Sequence, residues 1–301
     1  QEDAGIPDGV DAQEQDDGSI MYQGKKYWYN KNLVTVLCMG IDKSASESSD
    51  QSIGENGQAD AIFLTLIDTA TGKMSIINIS REAMADVELY NTAGEYAGVE
   101  NMQICLAYAY GDGHESSCLN VARSVSRLFN GIPINAYFAM DYTGVPTLND
   151  DVGGVSVQVL EDLSAKDPAL TYGSWVTLKG EQSVTYIRSR DTALLESNNT
   201  RMDRQKQYLT GFLQNAFGGI KSNPTLIPTL YSDATDYMVT DISLADLTYL
   251  ASQVVQHGYA TPEMSSVPGT VVQGDVYAEY QVDKAALFDL IIKNFYVQTK
   301  N

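Results

Sequence analysis

The 301-residue sequence predicts an α/β fold, a single domain with a central mixed β-sheet flanked by helices (α/β/α). Two observations predict it. Apolar, β-rich runs of strand length alternate with segments of helical spacing. Beyond the first two dozen residues no repeat or linker divides the chain, and a hydrophobic fraction of 44% suits one large core.

Residues 1–24 carry seven acidic side chains, no basic one and almost no large apolar residue. Such a stretch buries too little surface to offset its ordering entropy, so a disordered acidic leader is expected there, with the domain over 25–301. Because the sequence opens this way without Met, a signal or membrane anchor is expected upstream, although a boundary chosen for other reasons explains the start equally well.

Within the domain, Leu33 to Ile41, Ala61 to Asp68 and Lys73 to Ser80 read as strands, the last two joined by TATG, where Gly72 suits a left-handed turn position. Counting outward from that turn pairs position 60 with 81 or 82, so Asp60 and Arg81 should emerge side by side at one end of the sheet. Asn101 to Tyr110 and Ser116 to Phe129 have helical spacing, and Ile134 to Met140 reads as a strand. A turn-rich helix over Tyr142 to Asn149 leads through Gly153 and Gly154 into a strand from Val155 to Leu160. Helices are predicted over Gly180 to Ile187, Arg201 to Phe217 (Thr200 and Asp203 having capping-box spacing), Ser243 to Gln256 and Lys284 to Phe295. A short strand is expected near Val276 to Gln281.

The charge balance excludes several functions. With 39 acidic against 19 basic side chains and net charge -20, the surface repels nucleic acid. No run approaches the eighteen or so apolar residues of a membrane span. Walker and dinucleotide-glycine motifs are absent, and neither His114 nor His257 accompanies a serine elbow. The three cysteines have no zinc spacing. Cys38 reads as a core residue, while the turn GDGHESS could bring Cys105 and Cys118 within bridging range; such a bridge would imply an oxidising compartment.

What remains is an acid-and-arginine site. Four of the seven arginines, Arg188, Arg190, Arg201 and Arg204, fall in YIRSRDTALLESNNTRMDRQKQ. In so acidic a chain this clustering points to a strongly anionic ligand, since guanidinium forks hold phosphate bidentately and keep their charge. Asp42 follows the first strand, Asp60 opens the second and Arg81 closes the third. Two carboxylates beside a phosphate-bearing substrate are the usual way Mg²⁺ is held. Arg201 and Gln205, four residues apart, share a helix face near an N-terminus that favours anions. The plainer alternatives are surface pairing of Arg188 and Arg190 with Asp191 and Glu196, a turn role for Asp42 and a strand-edge charge at Asp60.

The ordered motifs GIDKS, GQADAIFLTLIDTATGKMSIINISRE, MQICLAYAYGDG, GIPINAYFAMDYTGVPTLNDDVGGVSVQV, LKGEQSVTYIRSRD and NNTRMDRQKQYL resemble the LytR-CpsA-Psr family of cell-envelope proteins over about residues 33–218; the closing PGTVVQGDVYAEYQVDKAALFDLI resembles that family's end. The resemblance implies a phosphotransferase that moves a glycosyl-phosphate polymer from an undecaprenyl pyrophosphate carrier to peptidoglycan. It also implies one transmembrane anchor and a domain on the outer face of a bacterial cell membrane. By the match, Asp42 and Asp60 would bind Mg²⁺; Arg188, Arg190, Arg201 and Gln205 would hold the pyrophosphate with Arg81; and Asp60 or Glu82 would receive the acceptor proton. The lipid tail would enter an apolar channel between sheet and helices.

Three positions depart from the family's pattern. Gln58 stands where an arginine is common, Glu82 where Pro-Arg-Asp would place an aspartate, and Asn198 where an aspartate is frequent. Losing one guanidinium and one carboxylate implies tight lipid binding with slow transfer. The alternative is therefore a polyprenyl-phosphate-binding envelope module with little or no transferase activity. A transcriptional attenuator, a label this family has carried, is disfavoured by the acidic charge and the external location.

Overall fold

The run LVTVLCMGI does form a strand, and its two faces decide how the rest of the chain packs. The computed structural model describes residues 6–42, 53–190, 197–274 and 277–298. In chain order the elements are β1 (Ala12–Glu14), β2 (Ile20–Tyr22), β3 (Lys25–Tyr29), β4 (Leu33–Ile41), β5 (Ala59–Asp68), β6 (Lys73–Ile79), β7 (Met84–Tyr90), β8 (Tyr96–Gln103) and α1 (Glu115–Leu128). There follow β9 (Ala136–Asp141), α2 (Val145–Asp151), β10 (Val155–Gln158), β11 (Trp175–Leu178), α3 (Glu181–Arg188), α4 (Ser197–Ser222), α5 (Leu226–Ala234) and β12 (Met238–Thr240). The chain ends with α6 (Leu244–Gln256), β13 (Glu263–Ser266), β14 (Gly269–Gln273), β15 (Ala278–Val282), α7 (Lys284–Phe295) and β16 (Tyr296–Gln298).

The central sheet has the order β12-β9-β4-β5-β6-β13. β5 runs antiparallel to both β4 and β6, whereas β9 joins β4 and β13 joins β6 in parallel, so the sheet is mixed as expected. Side chains alternate between its faces. On one face Leu37, Met39, Ile62, Leu64, Leu66 and Ile77 pack with Val121 and Val125 of α1 and Leu287 and Ile291 of α7. On the other, Ile67 and Met74 pack with Phe217 of α4, Ile227 of α5 and Leu250 of α6. By the strand register this second face continues through Val36 and Thr65, then Cys38 and Phe63, to Gly40 and Ala61 at the far end. An apolar strip therefore runs beneath the α4 side of the sheet.

The β5–β6 turn works as predicted. Gly72 adopts φ +67°, and a Cβ there would lie 2.6 Å from the His257 side chain, so both backbone conformation and space demand glycine. Ser243 and Asp246 form a reciprocal capping box at the start of α6.

Several expectations are corrected. The segment read as a flexible leader is ordered from residue 6: β1, β2 and β3 form an antiparallel sheet that β16 completes. Ile20 and Tyr22 are buried against Phe288 and Ile292, and the Tyr22 ring meets Phe288 edge-on at 5.4 Å. Two apolar anchors and a strand partner some 270 residues away outweigh the acidic composition around them. Residues 101–110 are not one helix; β7 and β8 form a hairpin over 84–103, followed by a 3₁₀ turn over 104–108. Helix α4 begins by Ser197, so Thr200 lies inside it rather than capping it, and Asp203 pairs with Lys206 at 2.6 Å. Cys105 and Cys118 are buried free thiols.

Candidate functional site

Hairpin register builds the site. Ile62 pairs with Ile79, so the count brings Asp60 opposite Arg81, and Arg81 Nη1 lies 2.7 Å from Asp60 Oδ1. The other oxygen, Oδ2, faces Arg201 Nη1 from α4 at 3.5 Å. Arg81 Nη2 donates to Gln58 Oε1 and lies 3.2 Å from Cys105 Sγ. Burial pushes the Cys105 thiol up, so its sulfur accepts from this guanidinium as a neutral thiol. A planar fork with contacts on three sides is pre-oriented, which lowers the entropy cost of binding an anion.

Glu82 is 3% exposed. Its Oε1 accepts from Arg190 Nη2 at 2.8 Å, Arg190 Nε donates to Ser197 Oγ at 2.9 Å, and its buried Oε2 has no hydrogen-bond partner among the described residues. Asn198 ties the strand end to the helix: its Nδ2 donates to Ser80 Oγ at 3.1 Å and its Oδ1 accepts from Arg201 Nη2 at 2.8 Å. An amide fills both roles at once, whereas an ionised carboxylate would only accept.

Asp42 sits on the exposed rim, its Oδ1 accepting from the Gln58 N–H at 2.7 Å. Partial desolvation raises its carboxyl above the ordinary range, the backbone hydrogen bond opposes that, and the Asp60 charge adds to it. Arg188, exposed at the end of α3, lies with its guanidinium carbon 4.6 Å from the centre of the Tyr142 ring and makes no ion pair among the described residues. Asp191 and Glu196 lie outside the described residues; among those described, Arg190 pairs with Glu82.

Gln205 and Arg204 have duties of their own. Gln205 Nε2 donates to the Ile187 carbonyl at 3.2 Å. Arg204, 0% exposed, donates to the carbonyls of Tyr186 and Ser189 and faces Glu161 at 3.4 Å. These are carbonyls that the last turn of α3 leaves without helical partners, so both side chains clamp α3 to α4. Arg204, counted with the arginine cluster in the sequence, is thus a structural member of it.

Sequence reasoning missed Tyr142. It is 4% exposed, its hydroxyl is buried without a partner among the described residues, and a Cβ on Gly40 would lie 3.0 Å from that oxygen. Burial, then the Asp60 charge, push the phenol up, so it remains a neutral donor; Arg201, Arg188 and Arg81 are close enough to oppose that shift. The only sequence signal was a glycine in a strand facing a tyrosine, and neither residue announces the other.

The class is a three-layer α/β domain with arginines and acids converging at one end of its central sheet. The chain belongs to the LytR_cpsA_psr family, whose profile it matches over residues 8–294. It is 25% identical over 262 residues to the polyisoprenyl-teichoic acid–peptidoglycan teichoic acid transferase TagU of Enterococcus faecalis, covering 86% of this chain and 77% of that one. To the transferase of the same description TagV of Bacillus subtilis it is 24% identical over 254 residues, covering 82% of this chain and 58% of TagV. The crystal structure of B. subtilis TagV superposes with a TM-score of 0.69 at 21% identity, covering 88% of this chain and 97% of that one. A structure of TagT bound to LIIa-WTA gives 0.65 at 18% identity, covering 88% and 92%.

Proposed function

We propose that this chain is a phosphotransferase that moves a glycosyl-phosphate polymer from a polyprenyl diphosphate carrier to peptidoglycan. One observation carries the reading: Arg81, Arg190 and Arg201 converge with Asp60 and Glu82 at one end of the sheet, with Arg188 and Asp42 at the rim, in a chain of net charge -20. Guanidinium groups concentrated against so acidic a background favour a ligand of high negative charge density. The named relatives, polyisoprenyl-teichoic acid–peptidoglycan transferases, support the same class of reaction.

In this reading Arg81, Arg188, Arg190 and Arg201 hold the diphosphate, and the Tyr142 hydroxyl donates to one of its oxygens. Gln205 supports the neighbouring helix junction. The prenyl tail leaves along the apolar strip from Gly40 and Ala61 toward Phe63 and Val36. An acceptor sugar hydroxyl attacks the phosphorus that bears the glycan; a new P–O bond forms, the bond to the bridging oxygen breaks, and the prenyl phosphate departs with that electron pair. The hydroxyl proton passes to a carboxylate, and the unpartnered Oε2 of Glu82 favours that residue over Asp60, whose oxygens face Arg81 and Arg201. Positioning and charge stabilisation supply most of the acceleration in such transfers.

Asp42 and Asp60 fit Mg²⁺ as a pair of hard oxygen donors near each other: burial and then the Asp60 charge push the Asp42 carboxyl up. Among the described residues no group of three or more acid, His or Cys side chains gathers, so waters and phosphate oxygens would complete the shell. When bound, the ion would add charge neutralisation at the diphosphate. We place the domain at the outer face of a bacterial cell membrane, on an N-terminal anchor; among the described residues no helix is long and apolar enough to cross a membrane.

Single-turnover transfer of a labelled glycosyl prenyl diphosphate to peptidoglycan fragments tests the reading. Transfer with release of prenyl phosphate is expected. Lipid bound without transfer would favour the binding module, and no lipid bound would remove both.

A further inference from the structure

A second concavity lies beside the arginine site. It has a volume of about 460 Å³ and opens between Asn199, Met202, Asp203 and Lys206 of α4 and Thr270 and Tyr280 of the β14–β15 hairpin. That size falls within the roughly 300–1,000 Å³ of small-molecule sites.

Its chemistry differs from that of its neighbour. Asp203 and Lys206 pair at 2.6 Å, leaving no net charge from the two, and no arginine lines the wall, so the cavity is unsuited to a diphosphate. Asn199 and Thr270 would be left unsatisfied by a prenyl chain, at a cost in desolvation. Met202 and Tyr280 add apolar surface. The Tyr280 hydroxyl already donates to the Val267 carbonyl at 2.8 Å, so that side chain offers the cavity ring carbons. Amide, hydroxyl and paired charges beside thioether and aromatic carbon match a ligand with an apolar C–H face and a rim of hydroxyl or acetamido groups.

Both walls continue into the reacting centre. Tyr280 N–H donates to the Glu82 carbonyl at 2.8 Å, and Asn198, which holds Arg201, lies 3.6 Å through Nδ2 from Met202 Sδ. A group seated in this cavity therefore lies beside the backbone of Glu82 and the turn of α4 that carries Asn198 and Arg201. We infer that the cavity between α4 and the β14–β15 hairpin is the subsite for the acceptor saccharide, an uncharged sugar unit of the glycan strand. The inference rests on the transferase reading for its role, though sugar binding itself can be measured without it.

The probe is the tetramer of N-acetylglucosamine, titrated calorimetrically into the unaltered chain and into Asn199→Ala, Asp203→Ala and Thr270→Trp, with farnesyl diphosphate affinity measured in parallel. Thr270 is exposed, so the tryptophan fills the cavity without opening the core. Tetramer affinity should fall at least tenfold in Thr270→Trp and severalfold in the alanine variants, while farnesyl diphosphate affinity holds. No saccharide binding, or binding indifferent to all three variants, overturns the inference. Loss of farnesyl diphosphate affinity instead assigns the cavity to the lipid, which also overturns it. If the unaltered chain binds saccharide but no diphosphate, the transferase reading fails while the sugar site stands.

Discussion

Asp60 lies between two guanidinium groups from opposite parts of the chain, Arg81 at 2.7 Å from one carboxylate oxygen and Arg201 at 3.5 Å from the other. The carboxylate is thus both a strut and a stand-in for the negative charge of a ligand. Asp60→Asn should cost about 3 kcal/mol of stability by leaving buried cations uncompensated. Inorganic pyrophosphate should raise the Tm of this variant more than that of the unaltered chain. Asp42→Asn should leave stability nearly unchanged, and both variants should lose any Mg²⁺ dependence of ligand binding; an unchanged magnesium response in both would remove these acids from the ion site.

Arg188 and Arg190 should separate into two phenotypes. Arg188, stacked on Tyr142 at the surface, should lose about 1.5–3 kcal/mol of diphosphate affinity as Ala, roughly tenfold to a hundredfold, with little change in Tm. Arg190→Ala should lose affinity and stability together, because Glu82 is left buried without its cation. Matching thermal melts for the two variants would contradict this division.

Tyr142→Phe should have an unusual signature. Removing a buried hydroxyl that has no protein partner should leave stability equal or slightly higher, while the lost hydrogen bond to a charged phosphate weakens binding by about 1.5–3 kcal/mol. Calorimetric titration with farnesyl diphosphate checks the second half. Full affinity with a lowered Tm would assign Tyr142 to packing alone.

Gln58 accepts from Arg81 in the place of a common arginine, and Glu82 reaches Arg190 with one methylene more than aspartate has. Gln58→Arg combined with Glu82→Asp should raise the single-turnover transfer rate more than the lipid affinity, since the added charge acts on the transition state while affinity rests largely on apolar contacts. Brisk transfer by the unaltered chain would show that these positions tolerate the departures.

Acid sensitivity should arise partly at a distance from the site. Burial pushes the Glu88 carboxyl up, but hydrogen bonds from Tyr90 and Arg127 and the charges of Arg123 and Arg127 outweigh it and hold the pKa below the ordinary value. Its stabilisation is therefore complete above the unfolded pKa of about 4.3 and is lost as pH falls through the lower folded value. The stability gap between the unaltered chain and Glu88→Gln, read from urea melts, should shrink as pH drops below about 4. A gap independent of pH would rule out the ion pairs as its source.

Local patterns carried much of the fold. β4 and α7 begin and end where apolar runs and turn residues place them, and the glycine turn fixed the register that joins Asp60 to Arg81. What stayed hidden depended on distant partners. β1 and β2 are three-residue strands in an acidic stretch, and pairing with β3 together with the packing of Ile20 and Tyr22 on α7 orders them. β7 and β8 carry many polar residues, and the packing of β7 against α1 at Val87 supports a hairpin that periodicity did not signal. At the site, residue type revealed which arginines cluster but not their allegiance: Arg204 serves the carbonyls of α3, and Tyr142 matters through an orphaned hydroxyl that no motif encodes.

The pairing of β3 with β16 also determines how the domain would carry a mechanical load. A pull on the N-terminal side reaches the short pairs of β1 and β2 first, then the β3–β16 seam and α7 behind it. The arginines stand at the opposite end of β4, about 30 Å away by strand rise. Slack can therefore be taken up by peeling three-residue strands before any tension reaches the β5–β6 register that aligns Asp60 with Arg81.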